Sequence, residues 1–133
     1  MQQKQIVVLC IDDNRSGLEI RKLMLEAKGF RVLIAQDGAT GLEIAAREEV
    51  DAVVLDYRMP DMDGEEVAAR LRTGERHTPI LLLSGFPGMI PDSLLSTVDS
   101  FIEKGRPSEQ LIAELQRITG KSGNLQGEQS RRA

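Results

Sequence analysis

Apolar residues in this chain occur in five short runs, separated by longer amphipathic or polar stretches. The runs cover residues 6–11, 32–35, 50–55, 80–83 and 98–102. A run of Val, Ile and Leu without a polar break is typical of a strand that is buried on both faces. Because helical spacing dominates between the runs, the pattern predicts five strands alternating with five helical segments. Such alternation predicts an α/β fold with a parallel sheet and helices on both faces.

The first two predicted helices have apolar residues at spacings of three and four. The first helix covers residues 15–28, and we expect four of its side chains to face inward: Ile20, Leu23, Met24 and Ala27. The second ends near Arg47, and we expect three of its side chains to face inward: Leu42, Ala45 and Ala46.

The fourth helix is predicted to be short. Pro87, Gly88 and Pro91 discourage a long helix, so only residues 92–96 are expected to be helical. Ser108 is predicted to cap the amino end of the last helix, which runs to about residue 118.

Composition narrows the class of protein. The 133 residues suit one domain, and a single cysteine permits no disulfide within a monomer, which fits a reducing compartment. The net charge of −4 and the scarcity of aromatic residues argue against a direct nucleic-acid partner. No apolar stretch approaches the roughly 18 residues of a membrane span. We therefore expect a cytoplasmic domain over residues 1–119, with residues 120–133 as a disordered tail or linker.

Polar residues with reactive groups follow four of the five predicted strands. Because parallel strands end at the same edge of a sheet, these residues are expected to be neighbours. They are Asp12, Asp13, Asp56, Ser84 and Lys104.

Three of these residues are carboxylates, which repel one another unless a cation neutralises them. Mg²⁺ is a suitable cation, because it binds one or two carboxylates and completes its shell with water and phosphate oxygens. Sharing one ion requires the first and third strands to be adjacent, with the second strand outside the first. Ser84 and Lys104 suit a phosphoryl group, and Asp56 can act as a nucleophile. The set therefore predicts an acyl-phosphate site.

These motifs resemble those of receiver domains from two-component response regulators, and the resemblance covers about residues 5–119. The matching motifs, in order along the chain, are Asp12-Asp13, Asp56 with Met59-Pro60 and Asp63-Gly64, Ser84-Gly85, and Phe101 with Lys104.

The resemblance implies a (βα)₅ fold of the CheY-like, flavodoxin-like type, with strand order 2-1-3-4-5. It implies a signalling domain that catalyses only its own phosphorylation and dephosphorylation. A sensor histidine kinase or phosphotransfer protein would supply the phosphoryl group from phosphohistidine to Asp56. Mg²⁺ or Mn²⁺ would be held by Asp13, Asp56, the Arg58 carbonyl and, through water, Asp12.

The resemblance also implies a switch. Ser84 would bind a phosphoryl oxygen, and Phe101 would turn inward into the space that it leaves. The face formed by the fourth helix, fifth strand and fifth helix would then change its affinity for a downstream protein. Arg58 and Phe86 flank the site, and we expect them to shield the acyl phosphate from water.

One motif departs from the family pattern. Gly105 follows Lys104 where the family usually has proline, often after a cis bond. A cis bond before a residue other than proline costs about 2.5–4 kcal/mol, so we expect a trans bond or compensated strain.

Two alternatives remain open from the sequence. An aspartyl-phosphate phosphohydrolase would need a second Asp two residues after Asp56, where Arg58 stands. A receiver-like interaction module that is never phosphorylated is the other alternative.

Overall fold

A computed structural model of the chain describes residues 5–57, 64–73 and 77–120, apart from the side chain of Pro87. Its five strands form one parallel sheet in the order 2-1-3-4-5, as the family resemblance implied. The strands are β1 (Val7–Ile11), β2 (Arg31–Ala35), β3 (Ala52–Asp56), β4 (Ile80–Ser84) and β5 (Ser100–Glu103). The predicted adjacency of the first and third strands is confirmed.

Within the described residues, five helices connect or follow the strands, together with one 3₁₀ turn over Pro87–Met89. They are α1 (Arg15–Ala27), α2 (Gly38–Arg47), α3 (Gly64–Thr73), α4 (Asp92–Leu95) and α5 (Ser108–Thr119). Within the described part of the chain, none of the helices combines the length and the apolar composition that a membrane crossing needs.

The sheet separates two hydrophobic cores, because alternate side chains of a strand point to opposite faces. Val8 and Cys10 belong to the core beneath α1 and α5, whereas Leu9 and Ile11 belong to the core beneath α2, α3 and α4. A Cβ atom on Gly41 would lie 2.5 Å from the Ile11 side chain. Glycine at this position therefore lets α2 pack closely against β1.

The predicted inward face of α1 was largely wrong. Ile20 and Leu23 are 68% and 69% exposed, whereas Leu18 and Leu25 are fully buried. The inward stripe instead includes the charged residue Arg21, whose side chain is only 13% exposed. Arg21 interrupts the apolar pattern of the buried face. The face that contains Ile20 and Leu23 is more continuously apolar, so the sequence pattern favoured that face instead.

Smaller predictions about helix faces and caps were also corrected. Met24 is partly buried as predicted, but Ala27 and Ala46 are exposed. Ser108 is the first helical residue of α5 rather than its cap, since Pro107 occupies the cap position without a side-chain hydrogen bond.

The predicted short fourth helix is confirmed as a single turn. Pro91 occupies its N-cap position. The Val98 amide donates to the Leu94 carbonyl at 3.2 Å, which closes the turn after α4. This bond accounts for the start of β5 at Ser100, two residues later than predicted.

Candidate functional site

Backbone pairing brings the ends of the strands to one edge of the sheet. The Tyr57 amide donates to the Leu83 carbonyl at 3.0 Å, immediately after Asp56. The Lys104 amide donates to the Ser84 carbonyl at 2.9 Å. Register alone therefore places three of the predicted site residues on neighbouring strand ends.

The three predicted carboxylates form a cluster between β1 and β3. One carboxylate oxygen from each of Asp12, Asp13 and Asp56 lies within 4.8 Å of the others. Asp12 and Asp56 are only 1% and 2% exposed, whereas Asp13 is exposed at the mouth of the cluster. The Asn14 amide donates to Asp12 Oδ1 at 2.9 Å, which restrains the loop after β1.

Lys104 reaches this cluster from the end of β5. Its Nζ donates to Asp56 Oδ2 at 2.9 Å and lies 3.9 Å from Asp12 Oδ2. The Lys104–Gly105 bond is trans, and Gly105 has a φ of 95°. This left-handed conformation favours glycine, so the departure from Lys-Pro is compatible with a lysine that points into the site.

Arg21 also belongs to the site, although the sequence analysis missed it. Its Nη2 lies 3.5 Å from Asp12 Oδ2, beneath the cluster. It also lies beside Cys10. Burial raises the pKa of that thiol to about 12, against the opposing influence of the Arg21 charge. The signal in the sequence was a charged residue midway between two leucines seven positions apart, Leu18 and Leu25.

The chemistry of this group suits a hard divalent cation. Three carboxylates with Lys104 and Arg21 carry charges of −3 and +2, which leaves a net charge of −1. Asp12 Oδ2 is buried and accepts no hydrogen bond within the described part of the protein. An anionic oxygen in that position gains from a cation nearby. We call these five residues, Asp12, Asp13, Arg21, Asp56 and Lys104, the acidic site.

Ser84 and Phe86 form the adjoining wall. Ser84 is fully buried, and its Oγ accepts a hydrogen bond from the Phe86 amide at 3.0 Å. A pocket of about 350 Å³ lies here, lined by Tyr57, Ser84, Phe86 and Met89. Phe86 is half exposed at 49%. Phe86, one of the two predicted shielding residues, therefore lies beside Ser84 and is partly open to solvent. Its shielding role stays a prediction.

Phe101 and Arg58 are the remaining predicted residues. Phe101 pairs with Leu82 in the sheet and is a partly buried residue packed against the core beneath α2, α3 and α4. Arg58 falls outside the described residues, so its carbonyl and its side chain have no assigned position here.

Sequence comparisons agree with this geometry. The profile of the response regulator receiver domain matches residues 8–116. The transcriptional regulatory protein GlrR of Escherichia coli (strain K12) is 36% identical over 107 residues, which cover 78% of this chain and 24% of that protein. The response regulator MprA of Mycobacterium leprae (strain TN) is 34% identical over 113 residues, which cover 84% of this chain and 50% of that protein. The matched part of this chain therefore spans about a quarter of the length of GlrR and half of the length of MprA.

Solved structures support the same assignment. A CheY-like receiver domain from Methylobacillus flagellatus has a TM-score of 0.80 and 26% identity, over 86% of this chain and 99% of that one. The receiver domain of sensor histidine kinase PA1611 from Pseudomonas aeruginosa PAO1 has a TM-score of 0.78 and 26% identity, over 88% of this chain and 99% of that one. That structure contains a magnesium ion in its active-site cleft. These comparisons confirm the resemblance inferred from the sequence.

Proposed function

This chain belongs to the response regulator receiver domain family, and from that premise we propose that Asp56 accepts a phosphoryl group. The donor would be a phosphohistidine of a sensor histidine kinase or phosphotransfer protein. The observation that carries the proposal is the ion pair of 2.9 Å between Lys104 Nζ and the buried Asp56 carboxylate, within the three-carboxylate cluster.

Asp56 is suited to act as the nucleophile. It ends β3 at the edge where ligands bind to open parallel sheets, and it is 2% exposed. Its oxygen would attack phosphorus as the bond between phosphorus and the donor imidazole nitrogen breaks. The imidazole leaves with the electrons of that bond and takes up a proton. No oxidant or reductant is needed.

Lys104 and Ser84 would bind the transferred group. The ammonium of Lys104 already contacts Asp56, so it can neutralise charge on the phosphoryl oxygens as transfer proceeds. The Ser84 hydroxyl can donate to a phosphoryl oxygen while it continues to accept from the Phe86 amide.

Asp12, Asp13 and Asp56 would hold Mg²⁺ or Mn²⁺, with Asp13 and Asp56 as direct ligands and Asp12 acting through water. Asp12 Oδ2 is buried and accepts no hydrogen bond from the described residues, which supports a cation in this place. When bound, the ion would neutralise charge between the carboxylates and the incoming phosphoryl group. The Arg58 carbonyl is a further proposed ligand.

Phosphorylation would be read by a protein partner at the face of α4, β5 and α5. The added phosphoryl group carries roughly −1.5 to −2 charge. Ser84 would contact that group, and Phe101 lies on the neighbouring strand, paired with Leu82. We propose that Ser84 and Phe101 rearrange together on phosphorylation. We also propose that the protein is cytoplasmic and that it acts only as a phosphoacceptor.

Intact-protein mass spectrometry after incubation with acetyl phosphate and Mg²⁺ tests this function. The wild type should gain about 80 Da, and both Asp56→Asn and removal of Mg²⁺ with EDTA should abolish the gain. Asp92→Asn is the matched control, because Asp92 is an exposed acid in α4.

Other outcomes would contradict the proposal in distinguishable ways. A wild type without an adduct would indicate a receiver-like module that is never phosphorylated. Sustained release of phosphate from a small phosphate ester would indicate a phosphohydrolase. An adduct that persists in Asp56→Asn would place the acceptor elsewhere.

A further inference from the structure

Arg21 is a largely, but not fully, buried charge on the inward face of α1. Its side chain is 13% exposed, and it lies in the same stripe as the buried residues Leu18 and Leu25. Its Nη1 is buried and has no hydrogen-bond partner within the described residues. A guanidinium in this position requires a compensating contact, because burial of a charge is costly unless the charge is paired.

The compensating contact is Asp12, and it is incomplete. Arg21 Nη2 approaches Asp12 Oδ2 at 3.5 Å, which is longer than a well-formed charged hydrogen bond. Asp12 Oδ2 also lacks a hydrogen bond from any described group. By contrast, Lys104 Nζ donates to Asp56 at 2.9 Å. Each partner therefore keeps a buried atom without a hydrogen bond from the described residues, so the pair leaves room for a further role beside its part in the fold.

We infer that Arg21 is a positioning residue that serves as a fixed counter-charge beneath the acidic site, and that it holds down the affinity for divalent cations. This inference rests on the proposed function, since it concerns the cation site described there. Arg21 draws Asp12 Oδ2 toward itself from the side of α1. The Asp12 carboxylate then interacts both with Arg21 on α1 and with the cation site.

The charge balance gives the direction of the effect. With Arg21 the acidic site has a net charge of −1, from three carboxylates and two cations, and without Arg21 it would have −2. A more negative site attracts a divalent cation more strongly. Removal of the guanidinium should therefore tighten binding, whereas removal of a merely structural side chain would loosen the site and weaken binding.

Calorimetric titration with Mg²⁺, with no phosphoryl donor present, tests the inference. Arg21→Met should bind Mg²⁺ about tenfold more tightly than the wild type. Arg21→Lys keeps the charge and should remain within about threefold. Arg15→Met is the matched control, because Arg15 lies on the same helix, is 65% exposed and pairs with Glu19. Arg15→Met changes the net charge of the protein by the same amount as Arg21→Met, and it should alter the affinity for Mg²⁺ by less than about threefold.

Equal or weaker binding by Arg21→Met, relative to Arg15→Met, would overturn the inference and leave the proposed cation site intact. No binding by the wild type would instead overturn the proposed cation site. The role of Arg21 as the partner of Asp12 would then be decided by a second measurement.

That measurement is a double-mutant cycle in cation-free buffer, with urea unfolding of Arg21→Gln, Asp12→Asn and the double variant. It also serves if Arg21→Met does not fold. If Arg21 acts through Asp12, the double variant should lose less stability than the sum of the two single losses. Additive losses would overturn the inference.

Discussion

Two neighbouring regions at the same edge of the sheet are built in opposite ways. The acidic site lies at the ends of β1 and β3, with Asp12 and Asp56 buried and two cations directed at them. The β4–β5 segment, residues 85–99, instead contains one 3₁₀ turn and one helical turn. It exposes Phe86, Met89 and Leu95 by 49%, 72% and 38%.

This difference suggests that the two regions have separate roles. Phosphoryl transfer depends on groups held in a fixed arrangement before the reaction, which an enclosed and ion-paired site provides. A response to phosphorylation needs a segment with a second accessible arrangement, and segments with few buried contacts have a low free energy of local opening. Ser84 joins the two regions, since it ends β4 and accepts a hydrogen bond from Phe86.

Thiol labelling should show the largest contrast. Cys10 lies fully buried behind the acidic site, and burial raises its pKa to about 12. At pH 8 its alkylation should be at least about a thousandfold slower than that of an unfolded control, because it requires unfolding. In the Cys10→Ala background, Met89→Cys should react within about tenfold of free cysteine. Comparable rates at the two positions would contradict the contrast.

The same pKa shift gives a pH dependence with a definite sign. Above the ordinary pKa of 9.0, the unfolded chain loses the Cys10 proton while the folded protein retains it. The folded state then binds more protons than the unfolded state, so this thiol lowers the stability of the fold as pH rises from 9.0 toward about 12.

Removal of Lys104 should have the next largest effect, on the rate of phosphoryl transfer. Lys104→Met should slow phosphorylation by acetyl phosphate by about 10²- to 10³-fold, because one preorganised charge is lost from the reacting oxygens. The rate of adduct formation measures this effect. Lys22→Met is the control, since Lys22 pairs with Glu26 on the surface of α1. A similar rate in the two variants would indicate that Lys104 is only a structural partner of Asp56.

Leucine truncations should show how the short helix is anchored. Leu94 is 1% exposed and Leu95 is 38% exposed, on the same helical turn. Leu94→Ala should lower the unfolding free energy by about 2–3 kcal/mol, because it leaves a cavity in the core. Leu95→Ala should change it by less than about 0.5 kcal/mol. Urea unfolding measures both. Equal losses would mean that Leu95 is packed as firmly as Leu94.

Phe86 should affect the lifetime of the phosphorylated state by a smaller factor. Its ring lines the pocket beside Ser84, so Phe86→Ala should admit water and shorten the half-life of the adduct several-fold. The decay is followed by intact mass after acetyl phosphate is removed. Met89→Ala, which alters the same pocket, is the control. An unchanged half-life in Phe86→Ala would argue against a gate.

Sequence reasoning predicted the sheet, and it predicted which residues lie together at its edge, because both depend on strand ends. Apolar runs locate the strands, and parallel strands bring Asp56, Ser84 and Lys104 to one edge whatever their separation in the chain. The face of α1 was not predictable in the same way. Two apolar stripes compete on that helix, and the inward stripe contains Arg21, whose partner Asp12 lies outside the helix.

The details of helix starts and loop conformation also depend on context. Ser108 is a good capping residue by type, but α5 starts at Ser108 itself, after Pro107. At Lys104-Gly105, the sequence left a trans bond and a strained one open. The structure shows a trans bond and a left-handed Gly105, which still directs Lys104 toward Asp56.

Amide hydrogen exchange with and without phosphorylation tests the division between the two regions most directly. The protein is compared in Mg²⁺ before and after acetyl phosphate is added, with Asp56→Asn treated in parallel. The account predicts altered exchange across residues 85–104, while β1 and β3 remain equally protected and Asp56→Asn shows no change. A fully phosphorylated protein in which residues 85–104 exchange as before, or in which β1 and β3 change equally, would contradict it.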